Sequence, residues 1–123
     1  MALNILIVDD STAIRKILIR VLRQTGLAIA EVFEARDGLE ALEIVKTQPL
    51  HLVLSDINMP NMDGLSLLAE LKGSETWRSL PVVMITTEGS EEKVGQAIRL
   101  GSAAYIRKPF TAEQIQEKIN ALL

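Results

Sequence analysis

The chain has 123 residues, enough for one domain with its own core and too few for two. Hydrophobic residues make up 48% and charged residues 24%, a balance that excludes disorder. A net charge of -3 excludes the basic footprint of non-specific nucleic-acid binding, and the lack of cysteine excludes disulfides and thiolate metal sites.

The N-terminal stretch Met1-Ala2-Leu3-Asn4 has neither the basic segment nor the long apolar run of a signal peptide. No run approaches membrane-spanning length, so a cytoplasmic, soluble domain is expected. Ile5-Leu6-Ile7-Val8 reads as a buried first strand, closed by Asp9-Asp10. Ile14, Ile17, Leu18, Val21 and Leu22 then recur at helical spacing, with Arg15, Lys16, Arg20 and Arg23 on the other face, and Gly26 ends that helix. Glu31-Val32-Phe33-Glu34-Ala35 reads as a second, more polar strand.

Asp37-Gly38-Leu39-Glu40 has the form of a capping box and opens a helix with Ala41, Leu42 and Val45 inward, stopped by Pro49. Leu52-Val53-Leu54 is the third strand, ending at Ser55-Asp56. The turn-rich stretch from Asn58 to Gly64 leads to a helix anchored by Leu68 and Leu71. Val82-Val83-Met84-Ile85 is the fourth strand, followed by Thr86-Thr87-Glu88. Glu91 and Glu92 suit the positive end of a helix that uses Val94, Ala97 and Ile98 and stops at Gly101. Ala103-Ala104-Tyr105-Ile106 is the fifth strand, broken by Lys108-Pro109. Thr111-Ala112-Glu113-Gln114 is a second capping-box pattern, opening a last helix with Ile115, Ile119 and Leu122 inward.

The predicted order is (βα)5: an α/β, doubly wound, five-stranded parallel sheet covered on both faces, with right-handed crossovers. Residues 1-123 read as a single domain, with nothing left over for an effector domain.

In an open parallel sheet, ligands bind beyond the carboxyl ends of the strands. Here those ends carry Asp9 and Asp10, Asp56, Thr86, and Lys108. One such residue alone reads as a helix cap or turn former. Four strand ends that all bear a fitting group point to a site. Clustered carboxylates repel unless they take up protons or a cation neutralises them. Oxygen-only ligands favour a hard cation, Mg²⁺ or Ca²⁺, and an incomplete carboxylate set suits Mg²⁺, which shares its shell with water and phosphate. A carboxylate can act as a nucleophile toward phosphorus, with a lysine and the metal stabilising charge on the transferring group and Thr86 donating a hydrogen bond to a phosphoryl oxygen.

Ile7-Val8-Asp9-Asp10-Ser11, the run from Ser55 to Gly64, Ile85-Thr86-Thr87 and Lys108-Pro109-Phe110 resemble the signature blocks of response-regulator receiver domains, in order and over essentially the whole chain. The resemblance implies the flavodoxin-like strand order 2-1-3-4-5. It implies Asp56 as phosphoacceptor, and Mg²⁺ bound by Asp10, Asp56 and the backbone carbonyl of Asn58, with Asp9 acting nearby, partly through water. Thr86 and Lys108 would bind phosphoryl oxygens, and Pro109 would follow a cis bond. Thr86 and Tyr105 would couple the site to a surface around Val94, Ile98, Tyr105 and Lys118, and Asn58 and Glu88 would tune the lifetime of the phosphoryl group. The implied phosphodonor is a histidine kinase or a histidine phosphotransfer domain.

Stand-alone chemotaxis regulators are the subgroup most resembled, through Asn58, Glu88, Tyr105 and Lys108-Pro109-Phe110-Thr111-Ala112, which implies a flagellar-motor target. One departure is Ile57, where the enteric chemotaxis regulator carries tryptophan. A stand-alone phosphorelay receiver is the alternative, and in either case a monomer is expected, one that turns over no external substrate. The basic stripe of the first helix reads either as a solvated face or as part of the phosphodonor docking surface. Tyr105 reads as a half-buried strand aromatic or as the switch residue. His51, at the opposite end from the acidic residues, reads as structural, Trp77 as local packing, and Met59 and Met62 as gap fillers in the loop.

Two rivals belong to other classes. A flavodoxin-type FMN electron carrier needs a phosphate-cradling loop rich in Gly, Ser and Thr after the first strand, where this chain has Asp9-Asp10. An aspartyl-phosphate phosphatase of the haloacid dehalogenase class needs an Asp-x-Asp motif there and the length for a cap domain.

Overall fold

The computed structural model describes residues 2–87 and 89–123. Among these residues five strands alternate with five helices. They are β1 (Leu3–Val8), α1 (Thr12–Gln24), β2 (Ile29–Ala35), α2 (Gly38–Thr47), β3 (Leu52–Ser55), α3 (Gly64–Lys72), β4 (Val82–Thr86), α4 (Glu91–Arg99), β5 (Ala104–Arg107) and α5 (Ala112–Leu122). All strand pairs are parallel and the order is β2-β1-β3-β4-β5, as the resemblance implies.

Each strand divides its apolar side chains between the two faces, because successive residues point to opposite sides. Leu6, Val8, Val53, Val82 and Met84 join Ala41, Val45, Leu67, Leu68, Leu71 and Ala97 in a core beneath α2, α3 and α4. Leu3, Ile5, Ile7, Leu52, Leu54, Val83, Ile85 and Ile106 join Leu18, Leu22, Ile115 and Ile119 beneath α1 and α5. Both cores are almost wholly aliphatic, as the 3% aromatic content requires.

The caps follow the sequence. Ser11, Asp37, Asp63, Ser90 and Thr111 cap the five helices in turn, each side chain accepting from the backbone N–H three residues on. The box at Thr111 and Gln114 is reciprocal. That at Asp37 is not: the Glu40 carboxylate accepts from the backbone N–H of Arg36 at 3.1 Å, one residue before the expected donor. Gly26 takes a positive φ of 77° just past α1, a conformation that costs glycine little.

Two assignments on α1 need correcting. Arg15 is buried rather than solvated, whereas Ile17 is 43% exposed. Arg15 shares its stripe with Leu18 and Leu22, at spacings of three and seven, and its head group is satisfied by polar partners. Ile98, next to Ala97, the single buried residue of α4, is 64% exposed, as its place on the expected surface requires.

Candidate functional site

β1 and β3 are neighbours with Val8 opposite Ser55, so Asp9 and Asp56 leave the sheet side by side at the same level. Asp9, Asp10 and Asp56 each offer one carboxylate oxygen, and these lie within 4.8 Å of one another. Lys108, just beyond β5, reaches across them. Its Nζ donates to Asp9 Oδ2 at 2.8 Å and to Asp56 Oδ2 at 3.3 Å. The Asp9 side chain is 3% exposed, and those of Asp56 and Lys108 are each 12% exposed. Asp10 is exposed.

The second oxygen of each inner carboxylate is also engaged. Asp9 Oδ1 accepts from the N–H of Ser11 at 2.9 Å, and Asp56 Oδ1 from that of Ile57 at 2.7 Å. Burial nevertheless pushes the Asp9 carboxyl above its usual range, against the pull of Lys108 and the Ser11 amide. Burial opposes the charge on Lys108 too. Its hydrogen bond to Asp9 and the charges of Asp56 and Asp9 outweigh that penalty and hold it above the usual lysine value.

The loop after Asp56 is fixed from two sides. A Cβ on Gly64 would fall on the main-chain carbonyl oxygen of Asp56, so only glycine allows α3 to start this close to β3. The loop is also tied to the start of α2. Asn61, at φ 65°, donates from Nδ2 to Asp37 Oδ2 at 2.7 Å, and the N–H of Gly38 donates to the carbonyl of Met62 at 2.9 Å. Met59 and Met62 pack against the core, in keeping with gap-filling.

Thr86 closes β4 and is buried, and its carbonyl accepts from the Lys108 N–H at 2.9 Å. Tyr105 sits opposite Met84 in the sheet, partly buried against the core under α2, α3 and α4. The Lys108–Pro109 bond is cis, as expected. Asn58 is exposed beside the cluster, and Glu88 lies outside the described residues. His51 sits at the other end of the sheet, where Nδ1 accepts from the N–H of Asn4 at 2.9 Å, and Trp77 packs against the core.

Arg15 is the residue of this region that sequence reasoning placed wrongly. Its guanidinium donates to the Asp9 carbonyl at 2.6 Å, to Glu34 Oε1 at 3.0 Å and to Thr12 Oγ1 at 3.1 Å. Lys16 joins the same Glu34 carboxylate at 2.9 Å. The hydrogen bond from Lys16 most of all, then that from Arg15, holds Glu34 below the usual carboxylate range despite its partial burial.

The acidic cluster offers oxygen donors only, with a cation already drawn between two of them. That chemistry fits a hard divalent ion such as Mg²⁺ rather than a soft metal. Among the described residues no helix is long and apolar enough to cross a membrane.

A family profile described as response regulator receiver domain matches residues 5–120. The chemotaxis protein CheY-3 of Vibrio cholerae serotype O1 is 40% identical over 120 residues, covering 98% of this chain and 91% of its own. Among solved structures, chemotaxis protein CheY4 of Vibrio cholerae matches with a TM-score of 0.88 and 31% identity, covering 100% of both chains. The receiver domain of a signal transduction histidine kinase from Syntrophus aciditrophicus matches with a TM-score of 0.88 and 31% identity, over 99% of this chain and 90% of that one.

Proposed function

This chain belongs to the response regulator receiver family, and we propose that it is a signalling switch turned on by Mg²⁺-dependent phosphorylation of Asp56. The observation that carries the reading is the ammonium of Lys108 set between Asp9 and Asp56 beside Asp10. Asp10, Asp56 and the Asn58 carbonyl would hold the cation, with Asp9 nearby, partly through water. When bound, Mg²⁺ neutralises the carboxylates and the negative charge of the phosphoryl group.

A carboxylate oxygen of Asp56 attacks the phosphorus of a phosphohistidine. The P–N bond breaks, the aspartyl phosphate forms, and the departing imidazole takes a proton. Lys108 and Thr86 bind phosphoryl oxygens. The donor is a histidine kinase or a histidine phosphotransfer domain. An apolar groove formed by Ile14, Ile17, Val21, Pro109 and Phe110 runs beside Lys108 and suits its approach. With Arg15 buried, the cationic part of this docking face is Lys16, Arg20 and Arg23.

Phosphorylation would alter the α4–β5–α5 surface through Thr86 and Tyr105, with the lifetime of the phosphoryl group set by Asn58 and Glu88. The likeness to chemotaxis proteins favours a flagellar-motor target. The equally good fit of a histidine-kinase receiver favours, as a second reading, a phosphorelay role on the same chemistry. The protein acts in the cytoplasm as a monomer and catalyses only its own phosphorylation and dephosphorylation. Family membership sets aside the flavin-carrier and phosphatase readings.

The test is intact-protein mass after incubation with acetyl phosphate, with and without Mg²⁺. The expected result is one phosphoryl group, gained only with Mg²⁺ and absent in Asp56→Asn. An Asp56→Asn protein that gains the same group would overturn the assignment.

A further inference from the structure

We propose that Arg15 is a positioning residue for cation binding, acting by fixing the peptide between Asp9 and Asp10. The inference rests on the reading of Asp9, Asp10 and Asp56 as a Mg²⁺ site.

Asp9 is restrained at every polar group. Its N–H donates to the Ala35 carbonyl at 3.0 Å, and its carboxylate is held by Ser11 and Lys108. Its carbonyl accepts from Arg15 Nη1 at 2.6 Å. Asp10 differs. It is exposed, and among the described residues nothing hydrogen-bonds its carboxylate. The point from which its side chain projects is therefore set by its backbone alone, and the orientation of the preceding peptide plane is read out by the Asp9 carbonyl. Arg15 grips that oxygen.

The grip is itself rigid. All three guanidinium nitrogens have separate acceptors, on Asp9, Glu34 and Thr12. Glu34 comes from β2, so a neighbouring strand anchors the fork independently of α1. Arg15 is 8% exposed, and Glu34 balances its charge, which keeps the guanidinium off the cluster's carboxylates. A planar five-donor head suits this task, and an ammonium cannot hold three acceptors in one plane.

Coulomb's law and positioning predict opposite signs. Removing a positive charge near a cation site should tighten cation binding. Losing the peptide's anchor should weaken it, because groups that orient metal ligands typically contribute about 10- to 100-fold in affinity. Lys16 supplies the control, since it pairs with the same Glu34 but does not touch Asp9.

The experiment is a titration with MgCl₂, followed by amide shifts in NMR spectra, of wild type, Arg15→Met, Arg15→Lys and Lys16→Met. Thermal melts are recorded in parallel. Arg15→Met should raise the Kd for Mg²⁺ about tenfold. Arg15→Lys should fall between it and wild type, and Lys16→Met should bind as wild type does or more tightly. A lowered Tm with a Kd within about twofold of wild type would make Arg15 a structural staple only and overturn the proposal. If Arg15→Met does not fold, a wild-type Kd in Arg15→Lys has the same force. Wild-type protein that binds no Mg²⁺ overturns the functional reading as well, whereas a variant-only failure overturns this inference alone.

Discussion

Replacing Lys108 with methionine keeps the length of the stem and removes the ammonium that faces Asp9 and Asp56. Asp9, 2% exposed, is then left with one backbone donor and a neighbouring carboxylate. Breaking a buried pair by removing one partner typically costs about 3–5 kcal/mol. Protonation sets a ceiling on that cost. A carboxyl with an unfolded value of 3.8 can be neutralised at pH 7 for about 1.4 kcal/mol per pH unit, or about 4 kcal/mol in all. At pH 5 the same ceiling is about 1.6 kcal/mol. The folded carboxyl of Asp9 is raised, so the folded state binds more protons than the unfolded one, and stability falls as pH rises from 3.8 through the folded value. Lys108 contributes in the opposite charge state. Its raised value means that its stabilisation is complete below 10.5 and is lost only above that, so it is present throughout the range used. Urea denaturation in EDTA should therefore give a loss of about 3–4 kcal/mol for Lys108→Met at pH 7, and under about 2 kcal/mol at pH 5. A loss equal at both pH values, or below about 1 kcal/mol at pH 7, would refute the reasoning.

Two further outcomes follow from the loop behind Asp56. Gly64→Ala places a methyl group on a main-chain carbonyl that cannot rotate away, so a destabilisation of about 3 kcal/mol or more is expected by denaturation, together with loss of phosphoacceptance by mass. Asp37→Ala removes both the cap of α2 and the tie to Asn61, and should cost about 1–2 kcal/mol at pH 7. The Glu40 amide, and then Asn61, hold the Asp37 carboxyl below 3.8. Its stabilisation is thus present above 3.8 and lost as pH falls through the lower folded value, and the melting curves of wild type and variant should converge there.

What was legible in the sequence was what local pattern determines. Short apolar or alternating runs marked the five strands, capping patterns marked the starts of α2 and α5, and apolar residues at helical spacing marked the other helices. Periodicity alone could not give the strand order, because the order depends on which face each crossover takes, and no residue within a strand records that. β1 begins two residues before the apolar run because Leu3 and Asn4 pair with Ile29 and Glu31 of β2, a partner distant in sequence. The strand-end rule collected Asp9, Asp10, Asp56 and Lys108, which the fold does bring together. It missed Arg15 because residue type was weighed above position. The signal was present: Arg15 continues the stripe of Leu18 and Leu22, and an arginine on a buried stripe must have acceptors. Two of those acceptors, the Asp9 carbonyl and Glu34, lie outside its helix, where the helical pattern does not reach.

On the proposed reading, the same layout explains why one helix responds more readily than the others. Phosphorylation would bring Asp56 from one negative charge to about two at neutral pH, beside a lysine already shared between two carboxylates. The pull falls on Lys108, whose backbone N–H is bound to the Thr86 carbonyl, so it reaches the ends of β4 and β5 together. The helix between those strands is α4, which buries only Ala97, whereas α3 buries Leu65, Leu67, Leu68 and Leu71. A buried leucine is worth about 1.5–3 kcal/mol and an alanine far less, so shifting α4 sacrifices little burial. A switch from 1:99 to 99:1 needs about 5.5 kcal/mol of differential binding. That requirement applies to the difference between two arrangements, and a lightly anchored helix keeps the second arrangement within reach of a single added charge. Moving α3 would uncover four leucines, and no rearrangement of Lys108 offsets that.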